Sequence, residues 1–434
     1  MESQGRISFP EYYRLIRSNA NFRRLWIAQM ISETGDWMYM IAIYDQLLKL
    51  TGGAAKSIGF AFVLQVLPQM LVSPMVGVLN DRLSRRKLMI VADFVRTAVV
   101  GLMLLAAALE LVWLIYVLLF LETVFWALFE PGRSAVIPNI TQGKDTLAAN
   151  SLSSMTWSFN FAAGSAIGGL IAAAVGSEAV YVINSLSFLV SAYFISRMHF
   201  REPHLDHLPP MRFADLFDFS PIAEGVRYVA QDRRLLATIF VKCGLGFMAA
   251  NWVLVTILGD RKFPTVLPGL DPKTAGIVGM SLLMGARGLG ALIGPSVGTH
   301  IAGPNQTRMR AGIALGFFIS SLGYIALGYA PTMPLACLSL IFAHAGGSMI
   351  WVFSSTMLQM NTEDKFRGRV FSSEFAFMTI SMSISSSLAG AFIDRGVSPD
   401  TVATSAGCIM LFPAMLWLLA QRLWRKQGST PNPV

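Results

Sequence analysis

Gly77-Val78-Leu79-Asn80-Asp81-Arg82-Leu83-Ser84-Arg85-Arg86-Lys87 is the stretch that decides how this chain folds. It packs Arg82, Arg85, Arg86 and Lys87 into a few residues around a single acid, Asp81. On either side the sequence turns apolar, over 57–79 before it and 88–109 after it. Each run is long enough to cross a hydrocarbon core about 30 Å thick, which takes roughly 20 residues of helix. A short basic connection between two such runs is a turn between membrane-spanning helices.

Working outward, the same alternation repeats along the chain. Apolar segments at 22–48, 57–79, 88–109, 112–137, 147–174 and 178–198 fill the first half. Segments at 235–258, 274–299, 309–329, 333–358, 366–390 and 400–422 fill the second. The spacing predicts an all-α membrane protein of twelve transmembrane helices in two pseudo-repeated six-helix bundles. The bundles are 1–198 and 235–434, joined by a polar linker over 199–234 that carries Pro203, Pro209, Pro210 and Pro221. Composition agrees: of 434 residues 54% are hydrophobic and 14% charged, against about 25% charged in soluble domains. So little charged surface suits lipid as the solvent, and the bilayer is the first expected partner.

A net charge of +9 would also suit a nucleic-acid binder, but the cations sit in the connections between apolar segments. With both termini and the alternate connections on one side, that side holds 24 of the 34 Lys and Arg, and the other holds six. Four more, Arg96, Arg133, Lys242 and Arg287, fall inside or at the edge of segments. Positive loops are retained in the cytoplasm, so both termini and the linker are expected there, in a multi-pass protein of the cell inner membrane. No nucleic-acid partner is expected. Lys242 lies near a segment end, where its stem can carry the ammonium to the interface. Cys243, Cys337 and Cys408 lie in apolar stretches and read as reduced packing residues.

An internal repeat is faintly visible. Ser73-Pro74-Met75-Val76-Gly77 closes the second segment, and Gly294-Pro295-Ser296-Val297-Gly298 closes the eighth. Matching positions half a chain apart point to a duplicated unit, a common plan among transporters.

The loop over 77–87 resembles the Gly-x-Leu-x-Asp-Arg-x-Gly-Arg-Arg/Lys signature of the major facilitator superfamily, with Ser84 in place of the second glycine. Other stretches carry the resemblance to the branch that holds enterobactin exporters and macrolide-efflux proteins: Asp93-Phe-Val-Arg96, Glu130-Pro-Gly-Arg133, Tyr181-Val-Ile-Asn184, Glu224-Gly225-Val-Arg227-Tyr228 and Arg367-Gly368-Arg369. The resemblance covers nearly the whole chain. It implies the major facilitator fold and secondary transport, with the loop as a conformational latch built from Gly77, Asp81, Arg82, Arg85, Arg86, Asp93, Arg96 and Arg133. Asp81 would meet a helix N-terminus, where a carboxylate gains from the macrodipole, and the basic residues would pair with nearby acids. The ordinary alternative is a positive-inside loop. Gly164-Ser165-Ala166-Ile167-Gly168-Gly169 resembles the tail of an exporter motif, although a plain small-residue packing face explains it equally.

Ionisable side chains within a bilayer are functional candidates by default. Glu33 and Asp36 lie in the first segment, where Glu33, Trp37, Met40 and Tyr44 share a helical face. Glu122 and Trp126 lie one turn apart in the fourth. Trp157 and Asn160, Asn251 and Trp252, Arg287, Trp351 and Glu374 complete the expected substrate cavity and coupling groups. Core or interfacial packing is the plain alternative for the aromatics. The bland alternative for the acids is a permanent structural pair with Arg287.

Soluble-enzyme chemistry finds no footing. Neither a Gly-x-x-x-x-Gly-Lys-Ser/Thr loop nor His-Glu-x-x-His occurs. His199, His204 and His207 lie close in sequence, but three histidines in a Pro-rich loop read as incidental, so no metal or cofactor is expected. The expectation is therefore a proton-coupled exporter of a small amphipathic molecule, of drug or siderophore type, working by alternating access, with that molecule and protons as partners. A lysophospholipid transporter and a non-transporting receptor are the alternatives. Nothing in the sequence sets an oligomeric state, and a monomer is the default.

Overall fold

The computed structural model describes residues 9–206, 216–303 and 305–427. His207 and the linker prolines Pro209 and Pro210 lie outside the described residues. Twelve long helical stretches follow the twelve apolar segments: α2 (Ala20–Leu50), α3 (Ala55–Arg82), α4 (Arg85–Ala108), α5 (Val112–Ile140), α6 (Lys144–Val175), α7 (Ser177–Ser196), the broken pair α9 (Arg233–Gly246) and α10 (Ala250–Arg261), α11 (Ala275–Ala302), α12 (Gln306–Gly328), α13 (Met333–Asn361), α14 (Asp364–Asp394) and α15 (Pro399–Gln427). Two shorter helices, α1 (Phe9–Ser18) and α8 (Ser220–Gln231), stand outside that series. Among the described residues there is no strand. Eleven of the long stretches are apolar enough to cross a membrane on length and composition alone. The other, α2, has 31 residues and carries Glu33 and Asp36 near its middle. The chain is a multi-pass membrane protein.

The chain divides into two compact units. The first holds Met1–Gln46 and Leu71–Asp218, and the second holds Leu47–Met70 and Phe219–Val434. The boundaries fall inside α2, inside α3 and just before α8.

Two elements depart from the sequence reading. The linker was expected to be a polar connection and the first helix to begin at 22, yet α1 and α8 form because each is amphipathic. Leu15 of α1 is fully buried, and Tyr12 and Ile16 pack on a cluster that includes Phe22, Phe129 and Val136. Asn19 ends α1 and caps α2, its Oδ1 accepting from Phe22 N at 2.9 Å while its Nδ2 donates to Ile140 O at 2.6 Å. In α8, Gly225 and Val229 are buried, and Tyr228 stacks on Phe366 of α14 with ring centroids 4.3 Å apart.

The seventh apolar segment is interrupted. A 3-10 turn at Phe247–Ala249 separates α9 from α10. The carbonyls freed there are met by serines of α14: Ser381 Oγ donates to Cys243 O at 2.7 Å, and Ser385 Oγ donates to Phe247 O at 2.8 Å. Backbone at membrane depth tolerates such a break only when side chains restore the lost bonds.

The glycines of α6 are packing residues. A Cβ on Gly164 would stand 2.8 Å from Trp37 Cβ, and one on Gly168 would stand 2.7 Å from Met38 O, both on α2. The small-residue reading of this run describes what the structure shows. Gly168→Leu is expected to force α6 off α2 and to cost about 1–3 kcal/mol, the usual range for overpacking. Thermal unfolding of purified protein, followed by intrinsic fluorescence, checks this; an unchanged midpoint would contradict the close contact.

Candidate functional site

The polar centre of the first unit forms where α2, α4 and α5 meet near their middles. Arg96 of α4 donates from Nη2 to both carboxylate oxygens of Asp36, at 2.8 and 2.7 Å. The same guanidinium reaches Glu122 Oε1 from Nε at 2.9 Å and from Nη2 at 2.7 Å. Its side chain is 1% exposed, and it lies over the Phe188 ring of α7 at 4.0 Å. Asp93, one turn earlier on α4, is fully buried and within electrostatic reach of Arg96. Two carboxylates therefore bind one guanidinium, and a third is buried nearby. Arg suits this place because its fixed fork serves two carboxylates at once.

A second polar line runs along α2 from Glu33. Gln29 Nε2 donates to Glu33 Oε1 at 2.9 Å, and Asn160 Nδ2 of α6 donates to Glu33 Oε2 at 3.2 Å. Arg133 Nη1 of α5 donates to Gln29 Oε1 at 3.0 Å and is ion-paired with Glu130. Gln29 thus bridges Glu33 and Arg133, which also lie within electrostatic reach of each other. The aromatic part of its face packs on α6: Trp37 lies 5.5 Å from Trp157 and 4.4 Å from Phe161 by ring centroids. Tyr44 is buried farther along α2. Trp126 packs against the small cluster of Val76, Leu88, Ala127 and Leu128.

The structure thus redistributes the expected site. Asp36 and Glu122 come together, but their arginine is Arg96, expected in the latch; Arg287 belongs to the second unit. Arg133 likewise joins Glu33's network, not the loop. In the loop itself Asp81 has a 74% exposed side chain, 3.7 Å from Arg85. Arg82 is half-buried, and a Cβ on Gly77 would meet open space. Arg85 and Arg86 also meet helix carbonyls. Arg85 donates to Asn80 O at 3.1 Å and Ala135 O at 3.2 Å, and Arg86 donates to Ile195 O at 3.3 Å and to Ser196 O. Helix C-terminal carbonyls lack intrahelical donors, which makes them natural partners for guanidinium groups.

The second unit has its own buried pair. Lys242 Nζ of α9 lies 3.1 Å from Glu374 Oε1 of α14, with side-chain exposures of 4% and 3%. It also donates to Ser355 Oγ at 2.7 Å and sits 4.0 Å over the Trp351 ring. The expectation that Lys242 reaches the interface is corrected here: an opposite charge, a hydroxyl and a ring face together replace its water. Arg287 of α11 lies 3.6 Å over the ring of Trp252, which in turn stacks on Phe62 at 5.2 Å. Asn251, beside Trp252 on α10, donates to Met248 O at 2.6 Å and so serves the helix break. Tyr324 and His344, 3.0 Å apart and buried, are a polar pair that sequence reasoning missed. A lone His on an apolar segment gave no signal of a partner on another helix. Among the described residues no group of His, Cys, Asp or Glu is arranged to hold a metal. His199 and His204 each meet a backbone carbonyl instead.

Arg96→Gln is expected to destabilise the protein by about 3–5 kcal/mol, since removing one partner of a buried ion pair leaves carboxylates uncompensated. The triple variant Arg96→Gln, Asp36→Asn, Glu122→Gln should recover much of that loss. Thermal unfolding of both variants checks the triad; equal losses in the two would contradict it.

Comparison with known proteins places this geometry. Residues 16–431 match the family described as transmembrane secretion effector. The chain is similar to macrolide efflux protein A of Streptococcus pyogenes, at 24% identity over 86% of this chain and 89% of that protein. It is also similar to the class C tetracycline resistance protein of Escherichia coli, at 24% identity over 87% of this chain and 90% of that protein. Among solved structures, the nucleoside transporter NupG superposes with a TM-score of 0.71 at 12% identity, over 92% of this chain and 98% of that one. That last likeness speaks for the fold alone.

Proposed function

This chain belongs to the transmembrane secretion effector family, a group of major facilitator transporters, and we propose that it is a proton-coupled exporter of small amphipathic molecules working by alternating access. The observation that carries the reading is the buried Arg96 shared between Asp36 and Glu122, with Asp93 close by. Three acids exceed one guanidinium, so charge balance in an apolar site calls for further positive charge. Protons supply it in one state, and a cationic group of the cargo supplies it in another. Competition between the two for the same carboxylates is what couples a proton gradient to export. Relatives named for macrolide efflux and tetracycline resistance support a bulky, partly apolar cargo, and the aromatic face of Trp37 and Trp157 suits one. In the latch proposed for the loop, Asp81 is the switching acid, in keeping with its exposed carboxylate.

Proteoliposomes loaded with erythromycin, with enterobactin and a lysophospholipid as parallel cargoes, test this. Wild-type efflux should rise as the receiving side is acidified. Asp36→Asn and Glu122→Gln should each weaken that dependence, because each removes one carboxylate from the exchange. Wild-type pH dependence in both variants would remove the coupling role. Selective movement of the lysophospholipid, with no effect of the gradient, would favour a lipid transporter.

The proposed placement is the cell inner membrane with both termini in the cytoplasm, from the 24-to-6 charge asymmetry. A reporter active only in the cytoplasm should work when fused to the C-terminus or inserted in the linker. Activity of a periplasm-only reporter at either place would overturn the topology.

A further inference from the structure

The stretch that follows α7 is stitched to the signature loop more tightly than a connection between bundles requires. Arg24 Nη1 donates to Arg197 O at 2.7 Å. Met198 is fully buried in the cluster around Phe22. His199 and Asn21 exchange two hydrogen bonds, His199 N to Asn21 Oδ1 at 3.0 Å and Asn21 Nδ2 to His199 O at 2.7 Å. Beyond them, Glu202 is brought onto the first turn of α4. Its Oε2 accepts from Ser84 Oγ at 2.5 Å, and its Oε1 accepts from Arg85 N at 2.7 Å and Arg86 N at 3.4 Å. His204 Nε2 lies 3.1 Å from Leu83 O.

The arrangement is reciprocal. Glu202 puts a carboxylate on the N-terminus of α4, while Arg86 puts a guanidinium on the last carbonyls of α7. Each charge meets the helix end of opposite sign. Ser84 now has a physical account as well. Its hydroxyl accepts from Lys87 N at 3.3 Å as the helix cap and donates to Glu202. The glycine expected at this position has no hydroxyl for either bond. Asp81, in the same loop, makes no such contact with a helix end inside this unit and keeps its carboxylate in solvent.

We infer that Glu202 is the positioning residue of the signature loop, fixing the N-terminus of α4 to the chain that leaves α7 so that the loop and residues 199–204 move as one piece. The inference rests on the loop's proposed role as the latch, with Asp81 as the acid that switches and Glu202 as the acid that holds.

Hydrogen exchange of the full-length protein in nanodiscs tests the contact without any cargo. Glu202→Gln keeps the size and removes the charge. It should speed exchange at Arg85 and Arg86 about tenfold, as the loss of a charge-assisted hydrogen bond implies, with α12 unchanged. Ser84→Ala combined with Glu202→Gln should add little to the single change, since the two groups act as a pair. Unchanged exchange at Arg85 and Arg86 would overturn the inference. Erythromycin efflux supplies the second readout: maximal rate should fall about tenfold in Glu202→Gln with KM unchanged, and Glu202→Asp should recover part of it. Faster exchange with wild-type maximal rate would overturn the positioning role. If the wild type moves no erythromycin, the proposed cargo fails and the exchange measurement alone decides the contact. If Asp81→Asn transports normally while Glu202→Gln does not, the latch reading fails and the role of Glu202 stands.

Discussion

A guanidinium with 1% exposure in the middle of a membrane helix is the constraint on which the first unit depends. Arg96 cannot lose its proton to escape the cost of burial, because its pKa lies too high. It must be surrounded, and the fold supplies Asp36 from α2, Glu122 from α5 and the ring of Phe188 from α7. Those contacts fix four helices around one charge. They also gather more acid than the arginine balances, and that surplus is what the proposed coupling would use.

Close helix packing surrounds this site. Gly164 and Gly168 let α6 approach α2, and the Cβ that Gly35 lacks would stand 2.6 Å from Ser187 Oγ of α7. Gly35 precedes Asp36, so helix α7 closes on the backbone just where the acid projects. Small residues do this work because membrane helices gain little from burying apolar surface against each other and must gain from close contact instead. In the second unit the same economy appears at Lys242, where one ammonium is shared among Glu374, Ser355 and the face of Trp351.

Much of the architecture was legible in the sequence, since lipid imposes length and apolarity on every span. The twelve segments and the charged loop needed no knowledge of packing. The acids Glu33, Asp36 and Glu122 were legible as candidates because a carboxylate among apolar residues is conspicuous. Their partners were not. Arg96 stands in a segment beside Asp93, and its nearness to Glu122, on the next helix, depends on how α4 and α5 are rotated against each other. Lys242 misled because position along a segment says nothing about which face a side chain takes. The break at Phe247–Ala249 left no Pro as a marker; it depends on serines of α14 that lie more than 130 residues away along the chain. Amphipathic α1 and α8 were hidden by their length, too short to span and too polar to stand out.

In the proposed mechanism the carboxylates around Arg96 hold protons that the cargo displaces. Proton release on binding measures this most directly. Erythromycin is added to purified protein in weakly buffered detergent solution and the pH change is followed with an indicator dye. Net proton release is expected as the drug binds, with binding but no release in the Asp36→Asn, Glu122→Gln variant. Saturable binding to the wild type with no proton released would contradict it.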